Sequence, residues 1–216
     1  MIQSKITRHI KRRVLDALIR LQNDATEKRI QESLGQLKRC GKQVELGTNV
    51  SIYGPKYIEI GDNTKIQSGS RIQAVDHYAP SGQRFDPHLI IGSRCFIEFH
   101  VHIGACYHVE IGNDVMLASG VYISDHQHRY DDTTKPVSCQ PVTENGRIVI
   151  GDGCFVGEGA CIFSDVVLGK HVVVGANAVV TKSVPSYCVV AGVPGRILRH
   201  YSVDLGEWIA GAPSAT

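Results

Sequence analysis

The run Ile150–Pro185, IGDGCF VGEGAC IFSDVV LGKHVV VGANAV VTKSVP, divides into blocks of six. Each block opens with Ile, Val or Leu, and its second position is usually Gly. The fifth position is small or β-branched: Cys154, Ala160, Val166, Val172, Ala178 and Val184. The same phase recurs earlier, as IGDNTK IQSGSR from Ile60, IGSRCF IEFHVH from Ile91 and IGNDVM LASGVY from Ile111. This is neither the 3.6-residue stripe of a helix nor the alternation of a strand on a half-buried sheet. Repetition by six over dozens of residues predicts an all-β solenoid, a parallel β-helix of hexapeptide repeats. The aliphatic opener points inward and stacks on the openers of neighbouring coils, and the small fifth residue fits the corner. Glycine is expected to supply turn conformations that side chains forbid. Each coil buries its face only against its neighbours, so many coils are needed. About three hexapeptides suit one three-sided coil.

Two segments break the period, residues 74–89 (AVDHYAPSGQRFDPHL from Ala74) and 125–147. Polar insertions in a regular solenoid map to loops on one face, and such loops usually carry function. The second begins inside ISDHQHRYDD, Ile123–Asp132, where a coil stops. Three units follow: a basic helical segment at 1–40, the solenoid at 41–199 with its two loops, and a tail at 200–216.

Composition bounds the function. With 216 residues the chain is long enough for a real core, and it has no apolar run of bilayer length. Its N-terminus is basic but lacks the apolar core of a secretory signal. Residues 1–43 hold eleven Lys/Arg against four Asp/Glu, about +7, so the net +2 leaves about −5 for the rest. Over residues 2–39, Ile6, Ile10, Val14, Leu18 and Leu21 share a helical face, with Arg8, Lys11, Arg12 and Arg20 largely elsewhere. Asp24 and Gly35 mark a break or a second short helix. The basic charge reads first as a solvated helix face, with an acidic partner or a membrane surface as the alternative. Seven cysteines without a C-x-x-C pair read as reduced thiols, Cys95 and Cys154 at small core positions. Trp208 is expected to pack on the body.

VVGANAVVTKSVP (Val173–Pro185) followed by VVAGVPGRILR (Val189–Arg199) closely resembles the C-terminal half of hexapeptide-repeat acetyltransferases. CGKQVELGTNVSIYGPKYIEIGDNTKI, from Cys40, is similar to the polysaccharide and lipopolysaccharide O-acetyltransferases among them, beside the galactoside and maltose acetyltransferases. The resemblance covers about residues 40–200. It implies a left-handed helix, a homotrimer with sites between subunits, and acetyl transfer from acetyl-CoA to a hydroxyl of a sugar or glycan in the cytoplasm. The left hand rests on the family alone, because parallel crossovers are normally right-handed. The count from Ile111-Gly112 to the catalytic histidine of the galactoside enzymes lands on His128, with His126 and Asp125 shaping the site. The resemblance further implies that Ala176, Thr181 and Lys182 line the pantetheine arm and that Arg196 and Arg199 meet the CoA phosphates. Glu98 stands where the galactoside enzymes carry asparagine, Cys106 where they carry an acid, and Phe155 where they carry tryptophan. The acceptor site is therefore rebuilt, with Glu98, His100 and Phe155 as acceptor candidates.

Other readings remain open. His100-x-His102 and His126-x-His128 can offer imidazoles to a metal, but no cysteine or carboxylate completes a familiar ligand set, so no metal is expected. The fold also serves non-catalytic scaffolds and binding modules. Related enzymes acetylate antibiotics, which HRYDD after His128 slightly resembles, and others acetylate sugar amines. No nucleic acid partner is expected.

Overall fold

The structure is a computed structural model that describes residues 2–213, with the side chains of helix residues 2–11, 13, 14, 16, 17, 20, 22 and 23 left outside the description. The chain divides into two units, Met1–Gln36 and Leu37–Thr216.

The first unit is one continuous helix, Ile2–Gly35. The anticipated break at Asp24 does not occur. Pairs one turn apart bridge the polar stretch beyond it: Gln31 Nε2 donates to Glu27 Oε1 at 2.9 Å, and Lys28 lies 4.0 Å from Glu32. Gly35 does end the helix. Ile6, Ile10, Val14, Arg8, Lys11 and Arg20 of the proposed amphipathic pattern lie outside the described side chains. Leu18 and Leu21, on its apolar side, are exposed. No helix among the described residues is long and apolar enough to cross a membrane.

The second unit is built from three sheets that the chain visits in turn. The first sheet takes Arg39–Cys40, Ile58–Ile60, His88–Ile91, His108–Ile111, Arg147–Ile150 and Val166–Leu168. The second takes Glu45–Leu46, Lys65–Ile66, Phe96–Ile97, Met116–Leu117, Phe155–Val156 and Val173–Val174. The third takes Ser51–Tyr53, Arg71–Ala74, His102–Ala105, Tyr122–Ser124, Cys161–Ile162 and Val179–Val180. Strands from successive coils pair in parallel, and the register stacks block openers on one another. Ile60, Ile91, Ile111, Ile150 and Leu168 form one such ladder. Ile72, Ile103, Ile123, Ile162 and Val180 form another. Every one of these is at most 1% exposed, and they share a single core cluster. Each such isoleucine contributes about 1.5–3 kcal/mol by leaving water. The fifth-position residues Cys154, Ala160, Val166, Val172, Ala178 and Val184 are buried at the corners.

Glycine supplies left-handed turns at the fourth position of some blocks, Gly69, Gly120, Gly153 and Gly159 with φ between 66° and 77°, but the second-position glycines have another role. The left-handed turn residue is the fourth of the block: Asn63, Arg94, Asp114, His171 and Asn177 have φ between 53° and 57°. Gly61, Gly92, Gly112 and Gly151 instead serve close approach between coils. A Cβ on Gly92 would lie 2.4 Å from the carbonyl oxygen of Gly112, and one on Gly151 2.7 Å from the carbonyl carbon of Gly169. Beside them runs a polar ladder, in which third-position side chains cap amides of the preceding coil. Lys42 N donates to Asp62 Oδ1 (2.7 Å), Asp62 N to Ser93 Oγ (3.1 Å), Ser93 N to Asn113 Oδ1 (2.9 Å) and Asn113 N to Asp152 Oδ1 (2.9 Å).

The residues read as a tail form part of an antiparallel extension of the second sheet. Arg196–Ser202 pairs with Cys188–Ala191 and with Glu207–Ala210. Trp208 packs edge-on against Tyr201 there, ring centroids 5.6 Å apart, and is 45% exposed. All seven cysteines are free, with Cys95 and Cys154 buried.

Candidate active site

Both excursions leave the solenoid where the third sheet hands the chain to the first. Residues 75–87 separate Arg71–Ala74 from His88–Ile91, and residues 125–146 separate Tyr122–Ser124 from Arg147–Ile150. One coil lies between them, and at the same corner it has only Cys106 and Tyr107. The stacking of coils therefore brings two loops distant in sequence to one edge.

Asp125 is the first residue beyond the strand and is fully buried. Its Oδ1 accepts the Cys106 N–H at 2.9 Å, and its Oδ2 accepts those of Tyr107 and His108, both at 2.8 Å. One side chain thus ties the start of the loop to the corner of the preceding coil. Oδ1 also lies 2.9 Å from His126 Nδ1. Because the carboxylate can only accept, Nδ1 donates across this contact. Ser124 Oγ donates to the His126 carbonyl at 2.8 Å. The absent side chain of Gly104 keeps this face open: a Cβ there would meet His126 Cε1 at 3.5 Å and His102 Nε2 at 3.7 Å. His102 contacts Gln73 Oε1 at 3.1 Å and meets Tyr122 edge-on at 5.0 Å. Burial, then the charges of Arg71 and His126, hold its imidazole below the ordinary histidine range.

His128 is exposed two residues further on. Its backbone forms an antiparallel bridge with Val142, and its ring meets Tyr78 edge-on, centroids 5.3 Å apart. It lines an open cavity of about 490 Å³ with Gln127, Arg129, Tyr130, Thr143 and Glu144.

The remaining sequence-derived residues lie on other parts of the solenoid. Glu98 accepts a hydrogen bond from Ser119 Oγ at 2.9 Å. His100 occupies a left-handed turn, φ 58°, with its ring over Gly69. Phe155 pairs with Met116 and Val173 on the second sheet and is exposed. Ala176, Thr181 and Lys182 are exposed at the turns around Val179–Val180, and Arg196 and Arg199 are exposed on the strand Arg196–Ser202. None of these lines the His128 cavity; of the sequence-derived set, Asp125 and His126 are in direct contact, and His128 alone lines the cavity. The sequence did not single out Tyr78, Gln83, Tyr107 or Thr143: the first three reach the site only through coil stacking, and Thr143 through the loop folding back on Gln127.

Among the described residues one group of potential metal-binding side chains occurs, Cys106, Asp125 and His126, with ligand atoms within 4.8 Å of one another. It takes one histidine from the two His-x-His pairs. Burial, and then the charge of Asp125, push the Cys106 thiol up to about 12. The Asp125 oxygens are already saturated by N–H donors. These residues fit a hydrogen-bonded network better than a metal clamp.

Comparison with known proteins agrees with the repeat. Residues 147–182 match the hexapeptide repeat of succinyl-transferase. WbbJ of Escherichia coli K12, named for lipopolysaccharide biosynthesis O-acetyl transfer, is 36% identical over 115 residues, which cover 50% of this chain and 59% of WbbJ. The galactoside O-acetyltransferase of the same strain is 33% identical over 115 residues, covering 51% of this chain and 53% of that enzyme. The chain thus spans little more than half the length of these curated relatives. AntD of Bacillus cereus, an N-acyltransferase solved with dTDP and 3-hydroxybutyryl-CoA, shares the fold with a TM-score of 0.66 at 21% identity, covering 83% of this chain and 90% of AntD. In its matched repeat and over about half its length the chain is similar to hexapeptide-repeat acetyltransferases, and it shares a fold with AntD.

Proposed function

We propose that the protein is an acetyl-CoA-dependent O-acetyltransferase acting on a hydroxyl of a sugar or polysaccharide precursor, with His128 as general base. The observation that carries this is an exposed imidazole at the rim of a 490 Å³ cavity, on a loop leaving a hexapeptide solenoid. The acceptor hydroxyl gives its proton to the imidazole as its oxygen attacks the thioester carbonyl. A backbone N–H of a neighbouring coil stabilises the tetrahedral oxyanion. Collapse breaks the carbon–sulfur bond, and the imidazolium returns the proton to the departing thiolate. No covalent enzyme intermediate is required. Ala176, Thr181 and Lys182 line the pantetheine arm in this reading, and Arg196 and Arg199 hold the phosphates. Glu98, His100 and Phe155 belong to the acceptor side. The likeness to sugar-modifying relatives supports the acceptor class. A left-handed helix, a homotrimer and a cytoplasmic enzyme belong to the same proposal. The basic helix is proposed to rest on a membrane that carries lipid-linked acceptors, which liposome co-sedimentation with and without residues 1–40 tests.

A second reading is favoured by the 2.9 Å contact of His126 with Asp125. A carboxyl group that orients an imidazole is the arrangement of acid–base dyads, so His126 is the alternative base. The deciding experiment is acetyl-CoA turnover across sugar and glycan acceptors with His128→Ala and His126→Ala. The expected result is a folded His128→Ala variant slowed about 10²–10⁴-fold, the usual weight of general base catalysis. A fully active His128→Ala with an inactive His126→Ala transfers the role to His126. Absence of acetyl-CoA binding by calorimetry replaces both with a scaffold.

A further inference from the structure

The excursion at 75–87 contains a small hairpin that the proposed chemistry leaves unused. His77–Tyr78 pairs antiparallel with Gln83–Arg84, and Tyr78 stands opposite Gln83. The Gln83 amide engages a single residue of the other excursion twice: Nε2 donates to the Val142 carbonyl at 3.1 Å, and Oε1 accepts the Val142 N–H at 2.8 Å. Ser81 Oγ donates to the same Oε1 at 2.9 Å, fixing which way the amide faces. Val142 is 3% exposed, and its partner across the bridge is His128. On either side of that bridge Arg129 N donates to the Pro141 carbonyl at 2.9 Å and Thr143 N to the Gln127 carbonyl at 2.8 Å. Tyr78 meets the same loop at two points: its hydroxyl donates to the Ser138 carbonyl, and its ring meets the His128 ring at an interplanar angle of 64°.

The side chain of Gln83 therefore acts as one more rung on the short ladder that carries His128. Without it, Val142 keeps a buried N–H and carbonyl with no partner, a cost that the loop can relieve only by shifting. We propose that Gln83 and Tyr78 are positioning residues for His128: the first hairpin sets the backbone and the ring of the histidine on the second loop. The function given to His128 rests on the reading of it as general base; its positioning does not. Misplacement by about 1 Å can cost on the order of 10²-fold in rate, so the hairpin controls turnover without touching the acceptor.

The test uses Gln83→Ala, Gln83→Glu, Tyr78→Phe and Tyr78→Ala, with Arg84→Ala on the same hairpin as control. Two readouts are taken from the full chain: kcat and KM for acetyl transfer, and the His128 ring signals by NMR. Gln83→Ala is expected to lower kcat about 10–100-fold, as misplaced groups do, with KM for acetyl-CoA unchanged and the His128 ring signals shifted and broadened. Gln83→Glu keeps the acceptor for the Val142 N–H and restores part of kcat. Tyr78→Ala disturbs the ring signals more than Tyr78→Phe, and Arg84→Ala changes neither readout. Unaltered His128 ring signals in both Gln83→Ala and Tyr78→Ala overturn the proposal, whatever the activity. If His128→Ala proves active, the base reading falls, and the ring signals still decide whether the hairpin positions His128.

Discussion

At the scale of single residues, Asp125 shows how a short motif gains its meaning from elsewhere in the chain. Its place before two histidines suggested a support for the site, but not that it would be buried against three backbone N–H groups of Cys106, Tyr107 and His108. Those donors come from the corner of the preceding coil, so only stacking reveals them. Asp125→Asn puts an amide NH₂ against N–H donors and loses the charge-assisted bonds. It is expected to destabilise the fold on the order of 3 kcal/mol, read as a drop in urea midpoint with unchanged m. Asp132 is a second case. Its carboxyl group accepts from Thr134 N at 3.0 Å and Thr134 Oγ1 at 2.6 Å and pairs with Lys135 at 3.1 Å, which lowers it to about 2. A depressed carboxyl group supports the folded loop above its unfolded value of 3.8 and ceases to do so as pH falls through about 2. Amide exchange in residues 132–140 is expected to quicken over that window, and Asp132→Asn is expected to remove the pH dependence.

At the scale of the strand and turn, the period of six was visible because it is a property of consecutive residues. Openers face in, fifth positions fill corners, and both are read from spacing. The reason for the second-position glycine was not, because it lies in the distance between coils. With the Gly112 carbonyl oxygen 2.4 Å from the site of a new methyl, Gly92→Ala forces two coils apart. The expected cost is about 1–3 kcal/mol, as for other overpacked positions, measured by thermal or denaturant unfolding. Gly82→Ala is the matched control for crowding: nothing lies within 4 Å of its Cβ, and its penalty comes only from φ 71°. A larger loss at Gly82 than at Gly92 would contradict close approach as the dominant constraint. The two insertions were legible as interruptions of the period. That they emerge at one corner, and that Gln83 reaches Val142 across 59 positions, was not.

For the whole molecule, the shared core sets the behaviour of the thiols. Burial raises Cys154 to about 11 and Cys106 to about 12, whereas Cys40 and Cys139 are exposed. A thiol reagent at pH 8 is expected to modify Cys40 and Cys139 promptly and to reach Cys95, Cys106, Cys154 and Cys188 only on unfolding; prompt reaction of Cys154 would mean that the corners open. The sign for stability follows from the same shifts. The raised thiols favour the folded state fully below the unfolded value of 9.0, and that contribution is lost as pH climbs toward 11–12. Alkaline unfolding is therefore expected to begin above pH 9 and to be less steep in Cys154→Ala. By itself the sequence determined the solenoid, its inward ladders, the place of the loops and the histidines worth testing. All of these follow from which residues are neighbours along the chain, since one strand and one turn recur every six residues. Tertiary structure alone decided which backbone donors bury Asp125, why the second-position glycines are needed, and how one loop holds another. Those depend on contacts between coils, whose partners lie about twenty to sixty positions apart and leave no local pattern to read.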